Sequence, residues 1–462
     1  MAGIVVCGGG VCGLLTAMLL AGDGHEVTVV ERDPAEPCEP GDAWDDWERR
    51  GVNQFRLPHF LLPRFNAVAR KELPTVVAGL EEAGAHAFNF FGPMRDLVPD
   101  GARFDVLTAR RPVVESVVAR AAAGTKGVTV LRGTAVKRLL TSRGSGDVPR
   151  VVGVETESGT TIAADLVVVA AGRRSALATW LVEAGARPPV TEAEDSGFVY
   201  YGRHVRSADG QPMVPGPTLT THGSISLIAL PADHGTCGIG IIGSSGDTAL
   251  RRLRDEGPWT AVMRALPLGP QLLEAEAISP LVAMAAIEDR WNRFVVDGRP
   301  VATGVVAVAD AWAATNPTLG RGITLGTLHA IALRDTIREV GLDPGAVALR
   351  FDERTQDEFT PWYRSTIWHD RNRVADCKTA IAGVDPRPRP DPRWADYLKL
   401  QRLATADLAL AARTAASGGV LEERPEEILA DPDVQAKLAS FDEPVPPAAG
   451  PDRAGLLALV GA

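Results

Sequence analysis

Gly3-Ile4-Val5-Val6-Cys7-Gly8-Gly9-Gly10-Val11-Cys12-Gly13 is the stretch that decides the fold. Its first five residues are apolar and rich in β-branched side chains, the pattern of a strand buried on both faces. The turn that follows fits G-x-G-x-x-G, with Gly8, Gly10 and Gly13 at the glycine positions. Leu14, Leu15, Met18 and Leu19 then mark an apolar helix, and Val27-Thr28-Val29-Val30 a second strand ending in Glu31, 18 residues beyond Gly13. Each part has a physical role. Gly8 allows the tight turn, Gly10 lets the backbone approach a pyrophosphate, and Gly13 lets helix and strand pack closely. The helix start offers free N–H groups and a positive dipole end to phosphates. Glu31 stands where a carboxylate accepts hydrogen bonds from a ribose with a free 2′-hydroxyl, which favours FAD or NAD over NADP. A glycine turn alone is a weak sign; strand, turn, helix, second strand and terminal Glu together make a dinucleotide site.

Far along the chain, Gly304-Val305-Val306-Ala307-Val308-Ala309-Asp310-Ala311-Trp312 reads as a buried strand running into an Asp. A loop with Asn316, Pro317, Gly320, Arg321 and Gly322 leads from there into a long helix through Leu325, Leu328, Ile331 and Leu333. Such a loop at a helix start holds backbone N–H groups against an acceptor that becomes negative, as the N1/C2 edge of a flavin does on reduction.

These segments resemble the FAD-dependent monooxygenases of the p-hydroxybenzoate hydroxylase type. The resemblance implies that Asp310 contacts the ribityl chain and that Pro317, Gly320 and Gly322 form the flavin loop. Asp165-Leu166-Val167-Val168-Val169-Ala170-Ala171-Gly172-Arg173-Arg174-Ser175 resembles the family's third element, between the other two. It also implies that Arg111, in Arg110-Arg111-Pro112, lies over the flavin and its phosphate-ribityl tail, and that Val136 makes the backbone contact with adenine. The sequence departs from the pattern at Ala309, where the family has Gly, and at Ala171, where it commonly has Asp; the second departure bears on direct use of NAD(P)H. Gly51-Val52-Asn53-Gln54-Phe55-Arg56-Leu57-Pro58-His59 and Asp195-Ser196-Gly197-Phe198-Val199-Tyr200 are similar to segments of actinobacterial epoxidases and hydroxylases of polyketide tailoring.

The implied fold is α/β: a Rossmann-like (GR2-type) FAD-binding domain in two parts, residues 1–190 and 299–345, with an inserted antiparallel-sheet substrate domain over 191–298 and a helical C-terminal region over 346–462. The residues agree. Phe198 to Val205, Ser224 to Leu230 and Thr236 to Ile242 alternate as strands of an antiparallel sheet covered on one face. Thr141 to Pro149 is a polar hairpin loop, and helices are expected over Pro361 to Thr379, Trp394 to Ser417 and Pro425 to Ser440. A Pro-rich connector, Asp385 to Pro390, interrupts them.

Composition excludes other classes. Gly 47 and Pro 34 in 462 residues stay below the roughly 25–30% that signals disorder. A balance of 48 basic against 58 acidic residues, net −10, leaves no footprint for nucleic acid or an anionic membrane. Cys7, Cys12, Cys38, Cys237 and Cys377 are scattered, a reduced pattern without metal-ligand spacing. The first 22 residues carry no charge but lack a basic start, and Leu14 to Ala21 is too short to span a bilayer, so a cytoplasmic protein is expected.

The resemblance implies a flavin monooxygenase in which a C4a-hydroperoxide passes one oxygen atom of O2 to an electron-rich small-molecule carbon, by epoxidation or hydroxylation. Electrons come from NAD(P)H, directly or through a separate flavin reductase. An alkene needs no general base, whereas a phenol is helped by one. Arg56, His59 and Asn316 are the candidate catalytic residues, with Trp312, Tyr200 and Tyr201 as further pocket candidates; the two tyrosines alternate on a strand, so at most one faces the pocket. His204, His222, His234 and His369 are too scattered to assign. The rival readings are a flavin dehydrogenase of the geranylgeranyl-reductase type and a non-enzymatic flavin-binding scaffold. A halogenase would need Trp-x-Trp-x-Ile-Pro, and the chain has instead Trp44 and Trp47 three apart and Trp291 alone.

Overall fold

The computed structural model describes residues 2–52, 54–142, 147–213, 216–384, 391–441 and 449–462. The elements that position the site are, in chain order, β1 (Gly3–Cys7), α1 (Val11–Gly22), β2 (Glu26–Val30), α2 (Arg111–Ala123), β3 (Val128–Leu131) and β4 (Leu166–Val169). Then follow β5 (Phe198–Arg206), β6 (Ile225–Pro231), β7 (Thr236–Ser244), β8 (Val305–Ala307), α3 (Gly322–Val340) and α4 (Thr360–Ala382).

β8, β4, β1, β2 and β3 lie side by side in that order, each pair parallel. The valine runs form these strands because both faces are covered: no residue of β4 is more than 2% exposed. α1, which contains no charged residue, is buried nearly all round, between the sheet and α3. A side chain on Gly326 of α3 would come within 2.4 Å of Cys12 Sγ on α1, so glycine sets how closely the two helices approach.

β5, β6 and β7 pair antiparallel in a six-stranded sheet, with Tyr200 opposite Ile242 and Ile225 opposite Gly243. The sheet is not covered on one face only, as the alternation implies; every residue from Phe198 to Val205 is buried. One face carries Val199, Tyr201, Ile239 and Ile241 against Trp259, Met263, Leu456 and Val460, so the C-terminal helix Arg453–Val460 returns to this sheet. On the other, Tyr200, Ile228 and Ile242 meet Val374 of α4. Gly238 of β7 brings the second cover close, since a Cβ there would lie 2.8 Å from Pro58 Cβ.

The helical region differs from expectation in two places. Trp394 to Ser417 is two helices, Pro392–Leu403 and Leu408–Gly418, because the Asp407 carboxylate caps the second by accepting from the N–H groups of Ala409 and Leu410. Pro425 to Ser440 is likewise divided at Asp431 and Pro432, which start a new helix at Pro432–Ser440. α4 is joined to the helix before it by a single π turn, Thr355–Phe359. The Pro-rich run, the middle of the 141–149 loop and Asn53 lie outside the described residues. No described helix is long and apolar enough to cross a membrane.

Candidate functional site

The strand order reverses at β1: β2 and β3 lie to one side, β4 and β8 to the other. Ligands of such sheets bind beyond the carboxyl ends of the strands at this switch point. Gly8, Gly172 and Asp310 follow β1, β4 and β8 at that end. Gly8 has φ +115°, and a Cβ there would stand 2.6 Å from the Ala170 oxygen. A Cβ on Gly13 would fall 2.0 Å from the Gly8 oxygen. These two glycines make room for the protein itself. At Gly10, Gly172 and Gly322, by contrast, an added Cβ meets nothing within 4 Å among the described residues, so these loops border open space. α1 and α3 both start without a side-chain cap, leaving their first N–H groups to a ligand.

Glu31 is bound mainly by its own chain. Its carboxylate accepts from Gly9 N at 2.7 Å and from Asp33 N at 2.8 Å, and pairs with Arg49 Nη2 at 2.9 Å. A carboxylate has about four acceptor positions, so one stays open to a hydroxyl. Arg49 could not be singled out from the sequence, because nothing in its neighbourhood marks it. It is 5% exposed, donates to the Gly9 oxygen at 3.0 Å, and bridges Glu31 to Glu115, whose other oxygen accepts from Arg111 Nε at 2.7 Å. Arg49 and Arg111 thus flank the glycine turn. The charge of Arg111 is felt at Cys12 and Asp310. Beside Glu31 runs a groove of about 780 Å³ lined by Arg32, Asp33, Pro34, Glu36, Trp47 and Gly51. Val136 opens the next strand and packs on the sheet with Val30, while Thr134 N donates to the Glu31 oxygen at 2.9 Å.

Asp310 sits at the head of the cleft. Burial pushes its carboxyl above the ordinary carboxylate range, opposed by Arg173 and Arg111. Among the described residues none donates a hydrogen bond to that carboxylate, so it is free to accept from ligand hydroxyls. Ala309 before it has φ +52°, the left-handed conformation that explains glycine in the family's pattern. Its N–H donates to His329 Nδ1 at 3.2 Å. Thr355 Oγ1 donates to the Phe351 oxygen, so His329 Nε2–H donates to Thr355 Oγ1 at 3.1 Å, which fixes the tautomer. Burial lowers this imidazole to about 3, so it remains a neutral acceptor. The π turn serves this contact, as it carries Thr355 and Phe359 to His329. Trp312 packs edge-on against His329 at 5.0 Å.

The loop from Asn316 to Gly322 is fastened at its start. Asn316 N donates to Asp289 Oδ1 at 2.6 Å, its carboxamide oxygen accepts from Tyr200 O–H, and its amide nitrogen donates to Thr318 Oγ1 at 2.7 Å. Asn316 is only 2% exposed and acts on the loop's shape. Pro317 opens a short 3-10 turn, and Gly320 closes it with φ +66°. Tyr200 faces this loop, whereas Tyr201 lies in the opposite core, where its carbonyl accepts from Trp259 Nε1.

Arg56 is drawn away from the cleft: its guanidinium lies 5.2 Å over the Trp44 ring and donates to the Trp44 and Trp47 carbonyls. His59 is beside Arg111 and His204, bonds the backbone of Ala109, and keeps a buried Nδ1 without a partner among the described residues. Burial, then Arg111, hold it well below the usual imidazole range. His204 packs on Trp44 at 4.8 Å, and His222 bonds the Ala449 oxygen. His234 lies against Gly84, and His369 is 3.3 Å from Asp370. Trp44 also carries Arg110 at 4.8 Å, whose bidentate pair with Asp233 joins α2 to the turn between β6 and β7.

No family model matches the chain. It is 27% identical to Protein Rv3254 of Mycobacterium tuberculosis over 421 residues, 83% of this chain and 82% of that protein. Its structure is similar to that of PqsL, described as a probable FAD-dependent monooxygenase from Pseudomonas aeruginosa, with TM-score 0.60 and 15% identity over 82% of this chain and 96% of that one. It is also similar to the flavin-dependent brominase Bmp2, with TM-score 0.61 and 15% identity over 95% of this chain and 99% of that one. The chain therefore has the fold of the FAD-dependent monooxygenases, helical C-terminal region included.

Proposed function

We propose that this protein is an FAD-dependent monooxygenase that places one oxygen atom of O2 on an electron-rich small-molecule carbon, by epoxidation or hydroxylation in secondary metabolism. The observation that carries the reading is Asp310: a half-buried carboxylate without a donor among the described residues, at the end of β8, on the side where Gly10, Gly172 and Gly322 border open space. The residues fit FAD. The Gly8–Gly13 turn and the start of α1 receive the pyrophosphate with Arg111 alongside, and Glu31 offers one acceptor position to the ribose. Asp310 accepts from the ribityl hydroxyls, and the 316–322 loop donates N–H groups to the pyrimidine edge. Bound flavin supplies the two-electron chemistry and the activation of oxygen.

The chain's own part is enclosure and orientation. β5, β6 and β7 close the far side with Tyr200, Ile228 and Ile242, a water-excluding wall that protects a reactive oxygen species. His59, unprotonated at neutral pH with a buried Nδ1 unpartnered among the described residues, is the side chain suited to accept a hydrogen bond from a phenolic substrate. Electrons come from NAD(P)H, directly or through a separate reductase.

The purified protein is expected to be yellow or to take up FAD. The reduced flavoprotein, given labelled oxygen and candidate alkenes or phenols, is expected to place label in the product only when substrate is present. Oxygen-insensitive hydride transfer would instead identify a reductase. The likeness to a brominase adds one arm: product formed only with bromide would identify a halogenase. A colourless protein that does not bind FAD would overturn the whole reading.

A further inference from the structure

Beneath the 316–322 loop lies a carboxyl group that neither the motifs nor the proposed chemistry account for. Asp289, on the strand Glu288–Arg293, is 1% exposed, and its Oδ1 accepts from Asn316 N at 2.6 Å. That bond fixes the residue where the loop begins. The same Asn316 carries Tyr200 of the six-stranded sheet on its carboxamide. One carboxylate therefore anchors the point where its own three-stranded sheet, the loop and the six-stranded sheet meet.

Resting on the flavin reading above, we propose that Asp289 is a positioning residue: its ionised carboxylate sets the loop that receives the flavin, and so couples FAD affinity to proton concentration. The physical basis is the difference between a charge-assisted and a neutral hydrogen bond. An ionised acceptor binds an N–H about twice as strongly as a neutral one. Burial raises this carboxyl to about 7, helped by the nearby carboxylates Asp370 of α4 and Glu194 of the adjoining strand Val190–Asp195, while the Asn316 N–H and Arg173 oppose the rise. Tyr200, Tyr363 and Arg371 also lie within its field. Asp289 thus changes charge across neutral pH, where an ordinary aspartate has long been ionised.

The sign follows for both loop and fold. Below about pH 7 the carboxyl is protonated and the anchor at Asn316 weakens, so FAD binds less tightly; above it, the anchor is at full strength. Folding responds in the opposite direction. A folded-state value above the unfolded one means that the folded chain holds the extra proton, so ionisation as pH rises through about 7 costs stability. Asp289→Asn keeps the shape and a neutral acceptor but removes the titration.

The experiment measures FAD dissociation by flavin fluorescence quenching, and melting of the flavin-free chain, between pH 6 and 8.5. Wild type is expected to bind FAD about fivefold more weakly at pH 6 than at pH 8. Asp289→Asn is expected to show a flat profile near the wild-type acid value, and its flavin-free form to melt above wild type throughout this range, by more at pH 8 than at pH 6. Asp370→Asn, which removes the neighbouring negative charge that most helps raise this carboxyl, is expected to move the wild-type midpoint to lower pH; it decides the matter should Asp289→Asn not fold. A wild-type profile that is flat, a slope kept by Asp289→Asn, or an unmoved midpoint in Asp370→Asn would overturn the proposal while leaving FAD binding intact. Failure of wild type to bind FAD at any pH would overturn the flavin reading instead.

Discussion

The two sides of the cleft are held together by different means. On the parallel-sheet side, most of the groups that define the site lie within short contiguous runs, Gly8 to Gly13, Glu31, Ala170 to Arg173 and Ala309 to Gly322, with Arg49 and Arg111 added through Glu31 and Glu115. The sheet needs only to bring the carboxyl ends of neighbouring strands together. On the other side the site is joined by pairs far apart in the chain: Arg110 with Asp233, Tyr200 with Asn316, and Asn316 with Asp289. The first side is a surface that backbone geometry mainly creates. The second is a joint that buried polar contacts create, and such contacts are costly when half-made.

The joint gives the sharpest test of that difference. Arg110 and Asp233 are 4% and 0% exposed at their side chains, and Asp233 also accepts from Arg110 N at 2.6 Å. Asp233→Ala leaves the Arg110 charge buried without its partner, so chemical denaturation should show a loss of about 3–5 kcal/mol. A loss below about 1 kcal/mol would show that the two halves are held by apolar packing alone.

The glycine turn separates the two meanings of small on the other side. Gly13→Ala places a methyl against the Gly8 oxygen and should destabilise the flavin-free chain by about 2–3 kcal/mol. Gly10→Ala points into open space, so its stability should change by no more than about 1 kcal/mol. FAD retention after gel filtration should fall in both. Equal destabilisation would erase the distinction between a glycine kept for the fold and one kept for the ligand.

This division also explains what the sequence made legible. A strand, a turn and a helix start announce themselves through local pattern, because backbone conformation and burial act on neighbouring residues. The glycine turn between strand and helix, the strand before Asp310 and the antiparallel strands were therefore readable. Arg49 was not, since its partners Glu31 and Asp33 on one segment and Glu115 on another are all distant from it in the chain, and no local pattern distinguishes it from Arg50. Asp289 was hidden for the same reason: its tie is to Asn316, 27 positions away. Arg56 shows the converse. It stands beside the right segment, yet its guanidinium is spent on the carbonyls of Trp44 and Trp47. The second cover of the six-stranded sheet was missed because a glycine such as Gly238 is silent in an alternation pattern, although it is what lets Pro58 approach.

The smallest effect falls where the two kinds of organisation overlap, at Ala309. The left-handed conformation there costs an L-residue about 1–2 kcal/mol, and glycine would remove that cost while adding about 0.5–1 kcal/mol of backbone entropy loss on folding. Ala309→Gly should therefore stabilise the chain by about 0.5–1 kcal/mol, read as a raised denaturation midpoint with no loss of FAD affinity. The bond from Ala309 N to His329 Nδ1 keeps Asp310 in place in either case, since it uses backbone and not side chain. If Ala309→Gly instead loosens FAD, the methyl group is holding Asp310 in register, and side-chain packing at Ala309, not the backbone bond to His329, orients this end of the cleft.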